Sequence, residues 1–227
     1  MKIGLFGQFG TGNTGNDASL EAMLGFLRGA LPHAELVCIC SAPDRVRETF
    51  GVEAVYIGAE PQGRVFLLLN WVSRNVLRRL ANLRQAYLVT GQLNALIIPG
   101  TGILDDFKEH PFGWPYVVFR WSIAARLAGV PLAFVSIGAG PIRNRISLWF
   151  MKTAAKCAAY RSYRDAISRH FMQRIGVRTD ADDVFPDLAF RLAAPQLSEA
   201  LDSDPRLSVG IGVMAYTGWF KNDTKKQ

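Results

Sequence analysis

A short apolar strand, Lys2 to Phe6, runs directly into Gly7-Gln8-Phe9-Gly10-Thr11-Gly12-Asn13-Thr14-Gly15-Asn16-Asp17, and an amphipathic stretch follows at once. Leu20, Leu24, Leu27 and Leu31 recur at intervals of three and four, the spacing of one helix face, with Asn16 or Asp17 placed to cap its first turn. Strand, glycine turn and helix in that order confine the chain to an α/β architecture. Glycines at the turn allow positive φ and close approach of a ligand, and a helix N-terminus behind them favours an anion. Gly10, Gly12, Asn13, Gly15 and Asp17 are therefore the first candidate binding residues. The spacing is not that of a dinucleotide fingerprint, since Glu35 begins its strand where a ribose clamp would end one. No Lys-Ser or Lys-Thr pair makes a nucleotide P-loop either. A plain strand-to-helix turn with no ligand accounts for these residues equally well.

The alternation continues. Glu35–Cys40, Ala95–Ile98, Pro131–Ile137, Ala159–Tyr163 and Asp183–Phe185 read as strands, and Pro43–Phe50, Arg64–Val89, Pro115–Ala128, Asn144–Ala158 and Ala166–Ile175 as helices. The pattern predicts a doubly wound, mostly parallel, Rossmann-like sheet of roughly six strands, with Ile3, Val37, Ile97, Val135 and Ile137 buried in it. In such sheets ligands sit at the carboxyl ends of the strands.

With 227 residues, 49% of them hydrophobic, the chain can bury one large or two small cores. Cys38, Cys40 and Cys157 are odd in number, and two alternate within an apolar strand. That pattern suits reduced, buried thiols and a cytoplasmic setting better than a disulfide framework or a zinc site. No secretory signal is evident at the N-terminus, and the apolar run Val65–Leu69 is too short and too close to arginines to span a bilayer. The net charge of +7 is uneven, because no Asp or Glu occurs between Glu60 and Asp105 while Arg64, Arg74, Arg78, Arg79 and Arg84 do. Read as a helix, this segment places Phe66, Leu69, Val76, Leu80, Leu83 and Tyr87 opposite Arg64, Arg74, Arg78 and Arg79. A core-packed helix with a solvated basic face is the first reading, and peripheral contact with a membrane through Arg64–Arg84 the second. Nucleic acid is not an expected partner, because no recognition-helix or aromatic-and-basic sheet pattern accompanies the charge.

Three strand-end loops carry the remaining polar candidates. Pro99-Gly100-Thr101-Gly102-Ile103-Leu104-Asp105-Asp106 follows one strand and Gly138-Ala139-Gly140-Pro141 the next, while Arg161-Ser162-Tyr163-Arg164-Asp165 leads into a helix. Together with Gly12-Asn13-Thr14-Gly15, Ser168 and Pro186-Asp187-Leu188-Ala189-Phe190, these motifs stand in the order and spacing of the N-terminal half of the polysaccharide pyruvyl transferase family, which the chain resembles over about residues 1–192. The family often has Gly-Asp-Glu-Ala where this chain has Gly15-Asn16-Asp17-Ala18, and three glycines in place of Gly100-Thr101-Gly102, which marks a divergent branch.

The resemblance implies a transferase that moves pyruvate, as a ketal, from phosphoenolpyruvate onto two hydroxyls of a sugar in a surface polysaccharide or its lipid-linked precursor. It also implies the N-terminal domain of a two-domain, GT-B-like shape, at the inner face of the membrane. Phosphoenolpyruvate is then a donor substrate, and neither a cofactor nor a metal is expected. The chemistry needs cations for carboxylate and phosphate, a general acid, and a base for the attacking hydroxyl. Arg164 and then Arg161 are the expected cations, since a guanidinium grips such groups bidentately. If the strand extends that far, alternation sends them to opposite faces, with Asp165 as a further binding candidate or the cap of the next helix. Gly100, Thr101, Gly102, Gly138 and Gly140 are expected to border the substrate, with Asp105, Asp106 and His110 as candidate acid–base groups; helix capping and an exposed loop histidine are the alternatives.

After an N-terminal domain set at residues 1–206, the stretch 207–227 resembles the first strand of a second half. The expectation is a chain inactive alone, its partner half lost or encoded separately, with Met214, Tyr216, Trp219 and Phe220 partly exposed, disordered or buried in a homodimer; the alternative is that the strand from Leu207 returns to complete the first sheet. Two other classes fit the sequence: a nucleotide-sugar-dependent glycosyltransferase of the same shape, and a non-catalytic binding protein of polysaccharide assembly.

Overall fold

In the computed structural model the described residues are 1–59, 73, 75–194, 209 and 211. The chain divides into two compact units, Met1–Leu192 and Ala193–Gln227, and the description below is of the first. The boundary expected at 206/207, and Met214, Tyr216, Trp219 and Phe220, lie outside the described residues.

The elements follow as β1 (Lys2–Phe6), α1 (Thr14–Ala30), β2 (Glu35–Cys40), α2 (Pro43–Phe50), β3 (Glu53–Tyr56), α3 (Val76–Thr90), β4 (Ala95–Pro99), α4 (Trp114–Leu127), β5 (Leu132–Ile137), α5 (Arg145–Cys157), β6 (Tyr160–Tyr163), α6 (Ala166–Arg174), β7 (Asp183–Val184) and a 3-10 turn, Leu188–Arg191. The seven strands form one sheet in the order β3-β2-β1-β4-β5-β6-β7, with every pairing parallel. Ile3 of β1 is in register with Leu36 of β2 on one side and Ala95 of β4 on the other. The strand order reverses at β1/β4, so the glycine loops after these two strands open side by side at a topological switch point.

Right-handed crossovers place helices on opposite faces either side of that switch. Alternate strand residues accordingly enter two cores. Phe6, Val37, Ile39, Leu96, Ile98, Leu132 and Phe134 pack with Ala86 of α3, Val118 and Trp121 of α4 and Met151 of α5. Ile3, Leu5, Cys38 and Cys40 pack with Leu20, Met23, Leu24 and Leu27 of α1 and Val46 of α2.

Four sequence expectations change here. The four-residue strand β3 pairs with β2 from Val37↔Glu53 to Cys40↔Tyr56, a strand that the sequence reading passed over. Ile97 and Val135 are half-buried, because they face the α1 side of the sheet, beside the second core. Leu31 is the exposed C-cap just past the end of α1, with Met23 in the buried stripe instead. On α3 the apolar face is rotated from the one predicted: Val76, Leu80 and Tyr87 are exposed while Ala86 and Thr90 are buried, and Arg79 stacks 3.8 Å over the Phe112 ring. Of the predicted Arg64–Val89 helix, residues 64–72 and Arg74 lie outside the described residues. Among the described residues no helix is long and apolar enough to cross a membrane. Cys38 and Cys40 are free and buried; burial pushes both thiols up, Cys40 to about 11, which keeps them protonated and unreactive.

Candidate active site

The loop after β1 is tied to itself before any ligand is considered. Asn13, not Asn16 or Asp17, caps α1, accepting from the Gly15 and Asn16 amides at 3.1 and 3.3 Å. Asp17 accepts from the Gly10 N–H at 2.8 Å, and Asn16 Nδ2 donates to the Gln8 carbonyl at 3.2 Å. These bonds satisfy helix amides that an anion would otherwise use, so the expected anion site at the start of α1 is already occupied by a side chain. Asp17 is a loop tie, and Gly12 lies against open space.

The loop after β4 supplies the adjoining wall. Gly100 has φ +60°, and a Cβ there would stand 2.5 Å from Ser19 Oγ, so this turn packs directly on α1. Thr101 continues in the left-handed region at φ 68°. The Gly138 N–H donates to the Thr101 carbonyl at 2.7 Å, and the Leu104 N–H to the Gly138 carbonyl at 3.2 Å, which zips the β4 and β5 loops together. Between them and the β1 loop lies a cleft of about 270 Å³ bordered by Asn13, Asn16, Thr101, Gly102, Asp105 and Glu109. Trp114 closes its base, held parallel to Phe6 at a centroid distance of 5.5 Å.

Arg164 stands at the end of β6, its N–H bonded to the Ile137 carbonyl at 3.0 Å. Its guanidinium lies against Gly138, where a Cβ would come within 2.7 Å of Nε, and beside Gly102, where a Cβ would lie 3.9 Å from Nη2. Gly138 thus keeps the space that the guanidinium fills. Asp165 and Asp187 hold it loosely at 3.6 and 3.5 Å, with two-fifths of the side chain exposed. Such open pairs are weak, leaving the cation available to a stronger anion. Gly140 abuts Asp105, whose Cβ would lie 3.3 Å from an added one. Burial pushes the Asp105 carboxyl above the ordinary carboxylate range; the Phe107 N–H bond opposes this, Asp106 adds to it, Arg164 opposes it and Glu109 adds to it.

The other candidates are placed elsewhere. Asp106 is nearly buried and accepts from the backbone N–H of Arg143 at 3.0 Å and of Asn144 at 2.8 Å, fixing the entry to α5; its carboxylate is spent on structure. Arg161 does not line the cleft; it is part-buried, bidentate to Asp182 at 2.8 and 2.9 Å, and donates to the Ala155 and Arg178 carbonyls, so its guanidinium is engaged within the fold. Asp165 caps α6 by accepting from the Ser168 N–H at 2.6 Å. His110 lies on the far side of the Glu109–Trp114 loop in a different pocket, its Nδ1 accepting from the Phe112 N–H at 3.2 Å. The sequence reading assigned nothing to Glu109 or Asp187. Glu109 stood beside His110 in Lys108-Glu109-His110-Pro111, and Asp187 in the quoted Pro186–Phe190 motif, so both were visible without a partner to interpret them.

The sequence profile of the family described as polysaccharide pyruvyl transferase matches residues 13–227. The chain belongs to the polysaccharide pyruvyl transferase family. No curated protein sequence matches it. Among solved structures it is similar to Alr3699/HepE of Anabaena in complex with UDP, with a TM-score of 0.54 and 14% identity over 82% of this chain and 44% of that one. It is also similar to UDP-GlcNAc 2-epimerase of Neisseria meningitidis bound to UDP-GlcNAc, with a TM-score of 0.52 and 14% identity over 83% of this chain and 47% of the other. The enzyme of that name from Methanocaldococcus jannaschii gives 0.51 and 11%, over 81% and 45%. At these identities the likeness shows the Rossmann-like fold, and the match extends over less than half of each of these structures.

Proposed function

We propose that the strand-end cleft belongs to a transferase that moves pyruvate from phosphoenolpyruvate, as a ketal, onto a sugar of a surface polysaccharide or its lipid-linked precursor. The observation that carries this reading is the Arg164 guanidinium seated on Gly138 beside Asp105, a cation and a carboxyl that burial pushes up, both close to Gly102 at the cleft edge. Arg164 can exchange its loose contacts with Asp165 and Asp187 for the carboxylate or phosphate of the donor. Asp105, held part-protonated nearer neutral pH than an exposed aspartate, suits proton exchange with an acceptor hydroxyl as the oxocarbenium-like centre forms. Asn13, Asn16 and Thr101 line the wall where a sugar could be read by hydrogen bonds.

Titration calorimetry with phosphoenolpyruvate, nucleotide sugars and phosphate tests the reading. Arg164→Ala should weaken phosphoenolpyruvate binding by about 1.5–3 kcal/mol, roughly ten- to 150-fold, with little change in Tm. Equal affinity in the variant, or binding of a nucleotide sugar alone, would overturn the proposal and favour a glycosyltransferase.

A further inference from the structure

A second polar pocket, of about 430 Å³, opens between the first turns of α3 and α4, bordered by Arg78, Arg79, Asn82, His110, Tyr116 and Arg120. It shares no described lining residue with the strand-end cleft. Arg120 is 2% exposed, and its guanidinium donates to the Ile57 carbonyl, yet among the described residues Nε has no hydrogen-bond partner. None of the described residues lining the pocket is acidic. Buried guanidinium groups are ordinarily paired with a carboxylate, because desolvation is costly when nothing compensates it. Here burial lowers the Arg120 pKa to about 10, with the Tyr116 and Tyr56 hydroxyls acting against it among the described residues.

The surroundings repeat the same preference. Arg79 is fixed by stacking on Phe112, and its backbone carbonyl accepts from the Tyr116 hydroxyl at 3.4 Å. His110 accepts at Nδ1 from the Phe112 N–H, which leaves the proton of its neutral ring on Nε2 as a donor. Asn82 Oδ1 accepts from the Ala59 N–H at 2.7 Å, leaving its amide nitrogen to donate. The first turn of α3 carries no acidic residue, and its Leu77 N–H donates to Ser73 Oγ at 3.5 Å. Glu109, the nearest carboxylate in sequence to His110, lies on the other cleft and accepts from the Trp114 N–H at 3.2 Å.

We propose that this pocket is a second anion site that takes a phosphate-class oxyanion, free or as the head of a lipid, between Arg79 and the buried Arg120. The inference does not depend on the reading of the strand-end cleft. It is tested in an Arg164→Ala background, which removes the cation of that cleft, by titration calorimetry with inorganic pyrophosphate. Saturable binding is expected, weakened at least tenfold by adding Arg79→Ala and changed less than twofold by adding Arg84→Ala, an exposed arginine on the same helix but outside the pocket. Flotation with phosphatidylcholine vesicles containing phosphatidic acid separates the sources. Retention displaced by free pyrophosphate and lost with Arg79→Ala assigns a lipid head, whereas pyrophosphate binding without retention assigns a free ester. No saturable binding of either probe, or equal losses in Arg79→Ala and Arg84→Ala, would overturn the proposal.

Discussion

Replacing Arg161 tests whether its guanidinium is structural, because Arg161 on β6 is engaged with Asp182 while Arg164 just after β6 lies beside Gly138 and Gly102. Arg161 and Asp182 retain 16% and 6% side-chain exposure, and their two-pronged contact is joined by the Tyr163 hydroxyl, which donates to Asp182 at 3.2 Å. Arg161→Ala leaves the Asp182 carboxylate buried with its cation gone, and removes the guanidinium bonds to the Ala155 and Arg178 carbonyls. Breaking a buried pair from one side costs about 3–5 kcal/mol. For a unit of this size each kcal/mol moves Tm by about 2–4 °C, so a fall of about 6–20 °C is expected. The double replacement Arg161→Met, Asp182→Leu removes both charges and fills the space with apolar atoms, and it should recover most of the loss. Thermal and urea denaturation give the stabilities, and calorimetry at a temperature where the variant remains folded gives donor affinity. A Tm within about 2 °C of the parent together with a large loss of phosphoenolpyruvate affinity would refute the reasoning and return Arg161 to the donor site.

Gly138→Ala should displace the Arg164 guanidinium, since the new Cβ would stand 2.7 Å from Nε and the side chain is free to swing. Phosphoenolpyruvate affinity should fall by about tenfold, the loss of one charge-assisted hydrogen bond, while Tm changes little; unchanged affinity would separate Arg164 from the donor. Asp105→Asn should stabilise the fold at neutral pH while impairing transfer, because burial raises the folded-state pKa and makes the ionised carboxylate oppose folding. That penalty is absent below the unfolded value of about 3.9 and grows as pH rises toward the folded pKa, so the Tm advantage of the variant should widen from acid to neutral pH; a wild-type chain that gains on the variant over that range would show that Arg164 outweighs burial.

Periodicity made most of the sheet legible, since β1, β2, β4 and β5 are apolar runs bounded by glycine or polar turns. β3 escaped because Glu53-Ala54-Val55-Tyr56 is too short to show a period and lies at the sheet edge. The cap of α1 was misplaced because Asn13, Asn16 and Asp17 are all competent caps, and only the backbone of the loop decides among them. Strand alternation would separate Arg161 and Arg164 if the strand reached Arg164, but β6 ends at Tyr163; the loop that follows sets the contact of Arg164 with Gly138, while Arg161 on the strand meets Asp182. Which of them was buried did not follow, because Asp182 lies 21 residues away in sequence. Asp105 and Asp106 are adjacent and chemically alike, yet the loop turns one toward the cleft and the other onto the amides that begin α5.

The crossover rule explains both where the cleft forms and why Ile97 and Val135 are less buried than their apolar character suggests. After β1 the chain winds toward β3 with α1 and α2 on one face; from β4 it winds the other way, and right-handed connections carry α4 and α5 to the opposite face. The reversal leaves the β1 and β4 loops facing each other with no crossover between them, which is where Asn13, Thr101 and Asp105 meet. The same reversal leaves the α1 side of β5 with little helix over it in this unit. Among the described residues the Leu188–Arg191 turn packs there against α1, bordering an apolar groove of about 610 Å³ with Phe26, Val135, Tyr160, Phe185 and Phe190 on its walls. Asp187 begins that turn and also reaches Arg164 at 3.5 Å, so the segment that partly covers this face also helps hold the cation of the cleft. Asp187, to which the sequence assigned nothing, and Val135, expected buried and found half-buried, thus both lie on the side of the sheet that its winding leaves with little helix.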